Sequence, residues 1–455
     1  MKLIPLGSAA AFALAASLVG LPALANGRFP AAGQIAVDPS DPDHLVVRTT
    51  YGLTVSNDHG ARWSWVCEGA VGYSGTEDPM MAITADSSII AGIFEGLSAS
   101  HDKGCQWDFA QGGLKDRYVI DLATEQLDPK NAILAISNSV GGSMFLTEVW
   151  ETKDNAATWT VAGVDMPADF LGLTLDAAPS DRNRIYVSGR YGKPGYDGAL
   201  ERTGDRGATW TKVLIPGSND QALPYIGGID PQNPDVVYVR LDAVKTDKLV
   251  VTKDGGATWT DAFTSTGNLL GFAISPDGAT VAVGGDTDGI WTAPASTLAF
   301  KQVSKIGAKC LTWTSAGLYA CADEFVDGFA VGLSKNQGAT FTPVMHLQVN
   351  CGPLACGAAT SNGSKCPDAW GATKLTIGGA TCEGGGGSSG TSAASSTSSG
   401  GPATSSSSSG GSSGGGCSVS APAPAAGLTA PGLMIAAAAL ARRRRRAARD
   451  SRSAR

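Results

Sequence analysis

Histidine is scarce in this chain, four among 455 residues, and two of the four, His59 and His101, sit inside a repeated turn motif. There is no H-E-x-x-H, no G-x-S-x-G nucleophile elbow and no phosphate-binding glycine loop. Each missing pattern removes a chemistry, because zinc hydrolysis, serine acyl transfer and nucleotide binding need those residue types at those spacings. The body of the chain also lacks a long apolar run. The one stretch outside the leader with the length to span a bilayer, Ala421 to Ala441, is rich in Ala and Pro and only weakly hydrophobic.

What the chain has in abundance is repetition. The octapeptide Ser56-Asn57-Asp58-His59-Gly60-Ala61-Arg62-Trp63 returns as 100–107, 152–159, 203–210, 252–259 and 334–341, on the pattern S/T-x-D-x-G-x-T-W. Its third position holds Asp58, Asp102, Asp154, Asp205, Asp254 and Asn336. An Asp or Asn there can close an Asx-turn on its own backbone, Gly supplies a positive φ, and the final aromatic starts a strand whose ring needs burial. The motif is therefore a hairpin corner. A period of about 45 to 50 residues marks an architecture in which each unit buries its apolar faces against its neighbours.

Upstream of each corner two apolar strands flank a turn, as in Ile35-Ala36-Val37-Asp38-Pro39 before Leu45-Val46-Val47. This pair also occurs at Phe272 to Gly278 followed by Val281-Ala282-Val283, between the fifth and sixth octapeptides, where Asp288-Gly289-Ile290-Trp291 suggests a unit that has lost its corner. Residues 29 to 349 then divide into seven units of about 46 residues, a number at which four-stranded blades close a ring. The octapeptide resembles the Asp-box, or BNR repeat, of sialidases, sortilin-type receptors, xyloglucan-type endoglucanases and photosystem II assembly factors. That resemblance implies an all-β, seven-bladed β-propeller over 26–349, with the six Asp or Asn residues structural and any functional pocket on the face away from them.

The ends of the chain read as addresses. Lys2, the apolar run Ala9 to Leu21 and Ala23-Leu24-Ala25 form a secretory signal peptide over 1–25. Glu383 to Gly416 is almost wholly Gly, Ser, Thr and Ala, the composition of a flexible linker. After it come Cys417, the span 421–441 and the run Arg442 to Arg446. This order resembles the MYXO-CTERM sorting signal over 417–455, which implies a processing protease acting near Cys417, a transient membrane span and delivery to the surface of a Gram-negative cell. A plain C-terminal membrane anchor is the alternative. Taking Lys2 and the tail's eight Arg and one Asp away from the whole-chain charge of −7 leaves −15 for residues 26 to 441. So acidic a body disfavours nucleic acid as a partner.

Nine cysteines in an exported chain point to disulfides. Cys310 and Cys321 fall on adjacent antiparallel strands of the last blade, and Cys67 with Cys105 would tie the first blade to the second. Cys351, Cys356, Cys366 and Cys382 would staple a small appendage over 350–382 with two bridges. A four-cysteine zinc site is the rival for these four. Neither a metal nor another cofactor is otherwise called for.

Opposite the octapeptides, the loops gather Arg and aromatic side chains suited to recognition. The ligand-binding candidates are Tyr51, Glu77, Asp78, Glu95, Arg117, Glu148, Trp150, Arg190, Tyr191 and Arg240. Carboxylates such as Glu77, Asp78, Glu95 and Glu148 would serve a glycosidase if two of them met at the channel mouth. Arg28-Phe29-Pro30 resembles the Arg-Ile-Pro motif of sialidases, but no set of downstream partners accompanies it. The sequence therefore supports a non-catalytic module for a protein or glycan ligand, with an exported glycoside hydrolase of the sialidase or xyloglucan-type lineage as the alternative.

Overall fold

Runs such as Leu45-Val46-Val47 and Val281-Ala282-Val283 are too continuous for a sheet with one wet face. Each is fully buried, because each belongs to a sheet packed between two others. The structure, a computed structural model, describes residues 28–74, 77–192 and 195–379. The expected signal peptide, Cys382, the Gly/Ser linker, Cys417 and the C-terminal span lie outside them.

Seven antiparallel sheets of four consecutive strands occupy residues 32–66, 80–109, 119–161, 170–214, 222–264, 269–304 and 310–345, and are blades 1 to 7. The first strand of each blade touches the first strand of the next, and that of blade 7 touches that of blade 1, so the ring closes. Side chains on these inner strands bridge neighbours. Gln34 donates to the Met81 carbonyl at 2.9 Å and accepts from the Met81 N–H at 3.2 Å, and the Thr312 hydroxyl donates to the Ile35 carbonyl at 3.3 Å. Such bonds use backbone groups that an inner strand edge would otherwise leave unpaired.

The repeated octapeptide lies between the third and fourth strands of blades 1 to 5 and 7, which places all six on one face. Its hydrogen bonds recur with little variation. In blade 5 the Thr252 hydroxyl donates to Asp254 at 2.8 Å and accepts from the Gly256 N–H at 2.7 Å, while Asp254 accepts from the Thr258 N–H at 2.8 Å. The same three contacts join Ser56, Asp58, Gly60 and Arg62 in blade 1, and Ser334, Asn336, Gly338 and Thr340 in blade 7. The fourth and fifth positions both have positive φ, including Ala156 at 66° where the other units place Gly. Of the closing aromatics, Trp63, Trp107 and Trp159 are buried, whereas Trp210, Trp259 and Phe341 are half-buried.

Blade 6 is a four-stranded blade without the octapeptide, as its sequence suggests. Asp288 closes the turn 286–288 between its second strand and its third, which starts at Gly289, on the opposite face, and the missing corner belongs to residues 295–300, ahead of its fourth strand Lys301–Ser304. Phe300 there packs beside Phe263 at 5.2 Å, filling the place of a closing Trp.

Among the described residues three α-helices accompany the sheets: α1 (Glu68–Val71), α2 (Glu324–Asp327) and α3 (Ser361–Ile377). After blade 7 the chain adds Asn350–Pro353 as a fifth strand, parallel to Trp63–Val66 on the outer edge of blade 1, and then enters α3. Cys310 and Cys321 pair as the sequence suggests. Cys67 and Cys105 do not pair with each other. Cys67 bonds Cys366 and Cys105 bonds Cys356, with Cα separations of 5.3 and 5.4 Å, and Cys351 is disulfide-bonded as well. Segment 350–379 is thus riveted to blades 1 and 2 and is no free-standing appendage. The same bonds consume two of the thiols that a zinc site would need. Helix α3 is held further by Ser361, which accepts from the Trp107 N–H at 2.9 Å, and by Trp370 against Trp65 at 5.6 Å.

Candidate functional site

Alternating strand direction puts the octapeptides and the first-to-second turns on one face. The second-to-third turns and the links between blades form the other, the link face. The sequence candidates divide between this face and the interior. Tyr51, Trp150 and Tyr191 are turned inward, each less than 9 % exposed. Trp150 packs in the core between blades 2 and 3 and donates its indole N–H to Glu148 at 3.1 Å. Tyr191 donates to Glu201, stacks beside Phe170 and carries Lys212 Nζ 3.5 Å above its ring. These three residues pack within their blades, and Glu148 beside Trp150 is half-buried.

Glu77, Asp78, Glu95, Arg117, Arg190 and Arg240 stay on the link side. Glu77 is nearly buried and accepts from the Phe94 N–H at 3.1 Å. Burial, with Glu95 nearby, pushes its carboxyl up to about 7. Asp78 pairs with Arg28 at 2.8 Å. Arg240 donates to the Leu269 carbonyl at 2.6 Å, pairs with Asp242 at 3.7 Å and lies 5.0 Å from the Tyr225 ring. Arg190 sits 5.3 Å from the Tyr196 ring. Glu95 is exposed on the second-to-third turn of blade 2 and Arg117 is half-exposed on the link from blade 2 to blade 3. Phe94 and Tyr118 meet edge to face at 4.6 Å over a cavity of about 50 Å³ that Glu77 and Asp78 also line.

Two acids outside the sequence candidates have shifted carboxyls. Asp121, buried, and Asp176, half-buried, stand on the inner strands of blades 3 and 4, and desolvation raises both carboxyls to about 7. Asp121 accepts from the N–H groups of Leu122 at 2.9 Å and Leu175 at 3.0 Å, which welds the two inner strands together. The sequence signal was an Asp inside an otherwise apolar first strand, where a side chain alternating inward has no solvent to meet.

The candidate carboxylates are thus largely committed to partners within the fold: Glu77 to Phe94, Asp78 to Arg28, Glu148 to Trp150 and Asp121 to Leu122 and Leu175. Among the described residues no group of three or more His, Cys, Asp or Glu side chains is placed to hold a metal ion.

Exposed apolar side chains are distributed unequally. Phe29, Phe94, Val140, Met144, Val244, Leu270, Phe325 and Val326 project from the link side and Leu127 from the octapeptide side, while Val161, Val164 and Leu214 are exposed on or just past fourth strands, Val164 bonded to Gly207 of an octapeptide, and Leu375 is exposed on α3. Scattered apolar side chains are ordinary on a surface, and it is contiguous patches of them that mark interaction sites.

No protein-family model matches the chain, and no curated protein matches it. Among solved structures it is similar to an ancestral GH74 enzyme, with a TM-score of 0.50 and 13 % identity over 70 % of this chain and 49 % of that one. It is also similar to the GH74 xyloglucanase from Xanthomonas campestris, with a TM-score of 0.41 and 18 % identity over 58 % and 44 % of the two chains. Hydrazine synthase of Kuenenia stuttgartiensis gives 0.48 and 11 %, over 67 % and 96 %. The likeness is one of fold, and the chain spans about half the length of the GH74 structures.

Proposed function

We propose that the chain is an exported, non-catalytic propeller of the Asp-box class that binds a polypeptide partner through its link face. The observation that carries this reading is the concentration of exposed apolar side chains on the link side, from Phe94 on blade 2 through Met144, Val244 and Leu270 to Phe325 on blade 7, with fewer elsewhere. A glycan-binding surface would favour flat, accessible rings bordered by free hydrogen-bonding groups; here the polar groups beside Phe94 are occupied internally. Export fits the disulfides, which persist in oxidising compartments. We take the leader over 1–25 and the sorting signal with processing near Cys417 as the route, with a protease and a transient membrane contact as its partners.

The second reading is glycoside hydrolysis, favoured by one observation, the neighbouring acids Asp121 and Asp176, both raised toward neutrality. It needs one of them to release its backbone partners and meet substrate. Peptide and glycan arrays probed with the full chain, alongside assays for release of reducing sugar from xyloglucan and for cleavage of sialosides, separate the two readings. Peptide binding without hydrolysis supports the first, and hydrolysis lost in Asp121→Asn supports the second.

A further inference from the structure

A cleft of about 450 Å³ opens on the octapeptide face between blades 3 and 4, away from the link face. Its walls carry Lys130, Lys153, Arg182 and Arg206, four cations in a body whose net charge is strongly negative. We propose that it binds a phosphate or sulfate ester on a small molecule.

The charges are layered. Glu125 and Glu151 lie beneath the cleft with side chains 8 % and 10 % exposed, while those of Lys130, Lys153 and Arg182 are 53 %, 61 % and 48 % exposed. Arg206 is the pin between the layers. It occupies the fourth position of its octapeptide at φ 58°, donates Nη2 to Glu125 at 2.6 Å and Nε to Glu151, and gives Nη1 to the Arg182 carbonyl at 2.8 Å. The buried carboxylates are thereby neutralised from one side, and the cations above them face the opening.

Those cations have donors to spare. Arg182 contacts Glu125 through Nη2 at 3.2 Å, and its remaining guanidinium N–H groups have no hydrogen-bond partner among the described residues. Lys153 spends one ammonium hydrogen on Glu151 at 2.7 Å, and Lys130 stands 3.6 Å from Asp128. A tetrahedral oxyanion satisfies such converging donors with charge-assisted bonds. The volume is within the range that accommodates a small ligand, roughly 300 to 1,000 Å³.

Calorimetric titration of the full chain at low salt tests this with inorganic pyrophosphate, glucose 6-phosphate, glucosamine 6-sulfate and, as the uncharged control, glucose. The expected result is saturable binding of at least one charged probe and none of glucose, with affinity falling as salt rises. The double variant Lys153→Ala with Arg182→Ala should weaken binding at least about tenfold, since each lost charge-assisted bond contributes on the order of a tenfold factor. Lys245→Ala and Lys301→Ala, exposed lysines elsewhere, should leave it unchanged. Arg206→Ala is unsuitable because it would strand buried Glu125 and Glu151. A preference for the phosphate or for the sulfate sugar identifies the ester. Absence of binding by every charged probe, or equal binding by wild type and the double variant, would mean that the cluster only joins two blades.

Discussion

Cys67 and Cys366 are 299 residues apart in sequence and joined by a disulfide with their Cα atoms 5.3 Å apart. The bond fastens α3 to the end of blade 1, and Cys105 to Cys356 repeats the arrangement on blade 2 across 251 residues. A propeller made of seven complete four-stranded sheets shares no blade between its two ends, so its closure rests on packing between blades 7 and 1. The C-terminal strand and helix act as an external clasp.

Removing the clasp bonds should lower stability without dissolving the blades. Cross-links that close loops this long stabilise by about 2 to 5 kcal/mol each. Cys366→Ala with Cys67→Ala is expected to reduce the unfolding free energy by that order in urea titration, while the far-ultraviolet spectrum keeps its β-sheet form. Loss of the spectrum at 25 °C would show that the clasp is required for the ring itself.

Asp254 gives a test of the octapeptide corners. Hydrogen bonds led by the Thr258 hydroxyl hold its carboxyl down at about 2, against an ordinary value of 3.8. A depressed carboxyl stabilises the fold above its unfolded value, and that contribution is lost as pH falls through the folded one. Asp254→Ala should therefore melt below wild type at pH 6, and the gap should close between pH values of about 4 and about 2. A gap independent of pH would mean that the corner does not need the ionised form.

Asp121 and Asp176 are expected to act with the opposite sign. Burial raises both to about 7, so the fold binds more protons than the unfolded chain between the ordinary value of 3.8 and about 7. Their contribution is fully present below the unfolded value and is lost as pH rises through the folded one. Asp121→Asn with Asp176→Asn should flatten the decline in stability across that window, with one acceptor oxygen kept for the Leu175 N–H. Thermal melts at half-unit pH intervals would show it.

Interior candidates and exposed link-side residues separate by mutation. Trp150→Ala empties a core position between blades 2 and 3 and should cost about 3 to 5 kcal/mol. Phe325→Ser and Val244→Ser change side chains that are 70 % and 73 % exposed and should shift stability by no more than about 0.5 kcal/mol. Denaturant unfolding of the three variants checks the order.

Blade number and corner geometry were legible because the Asp, the Gly and the closing aromatic each meet a local backbone demand, and local demands survive in sequence. The Cys310 to Cys321 bond was legible for the same reason, its residues facing each other across one hairpin. The partners of Cys67 and Cys105 depend on where a segment some 250 residues later docks, which no local pattern encodes. A clue existed in the second octapeptide, where Cys105-Gln106 replaces the usual Ala-Thr; Gln106 accepts from the Ser361 N–H at 2.9 Å as α3 begins. The site was less legible than the fold. Tyr51, Trp150 and Tyr191 have the composition of a binding rim, but Trp150 and Tyr191 are buried on their strands and Tyr51 in its turn, while the exposed Phe325 and Val326 sit on a four-residue helix that period-based reading passes over.

The most direct test of the proposed function is selection of a displayed random-peptide library on the full chain, with each selected peptide re-measured against two variants. One carries Phe94→Ser, Val244→Ser and Phe325→Ser on the link face, and the other carries Leu127→Ser on the octapeptide face. The account predicts peptides that bind wild type and the Leu127 variant equally and lose at least about tenfold in affinity on the link-face variant, a change of about 1.4 kcal/mol. Peptides that bind the link-face variant as tightly as wild type, or that lose binding with Leu127→Ser, would contradict it.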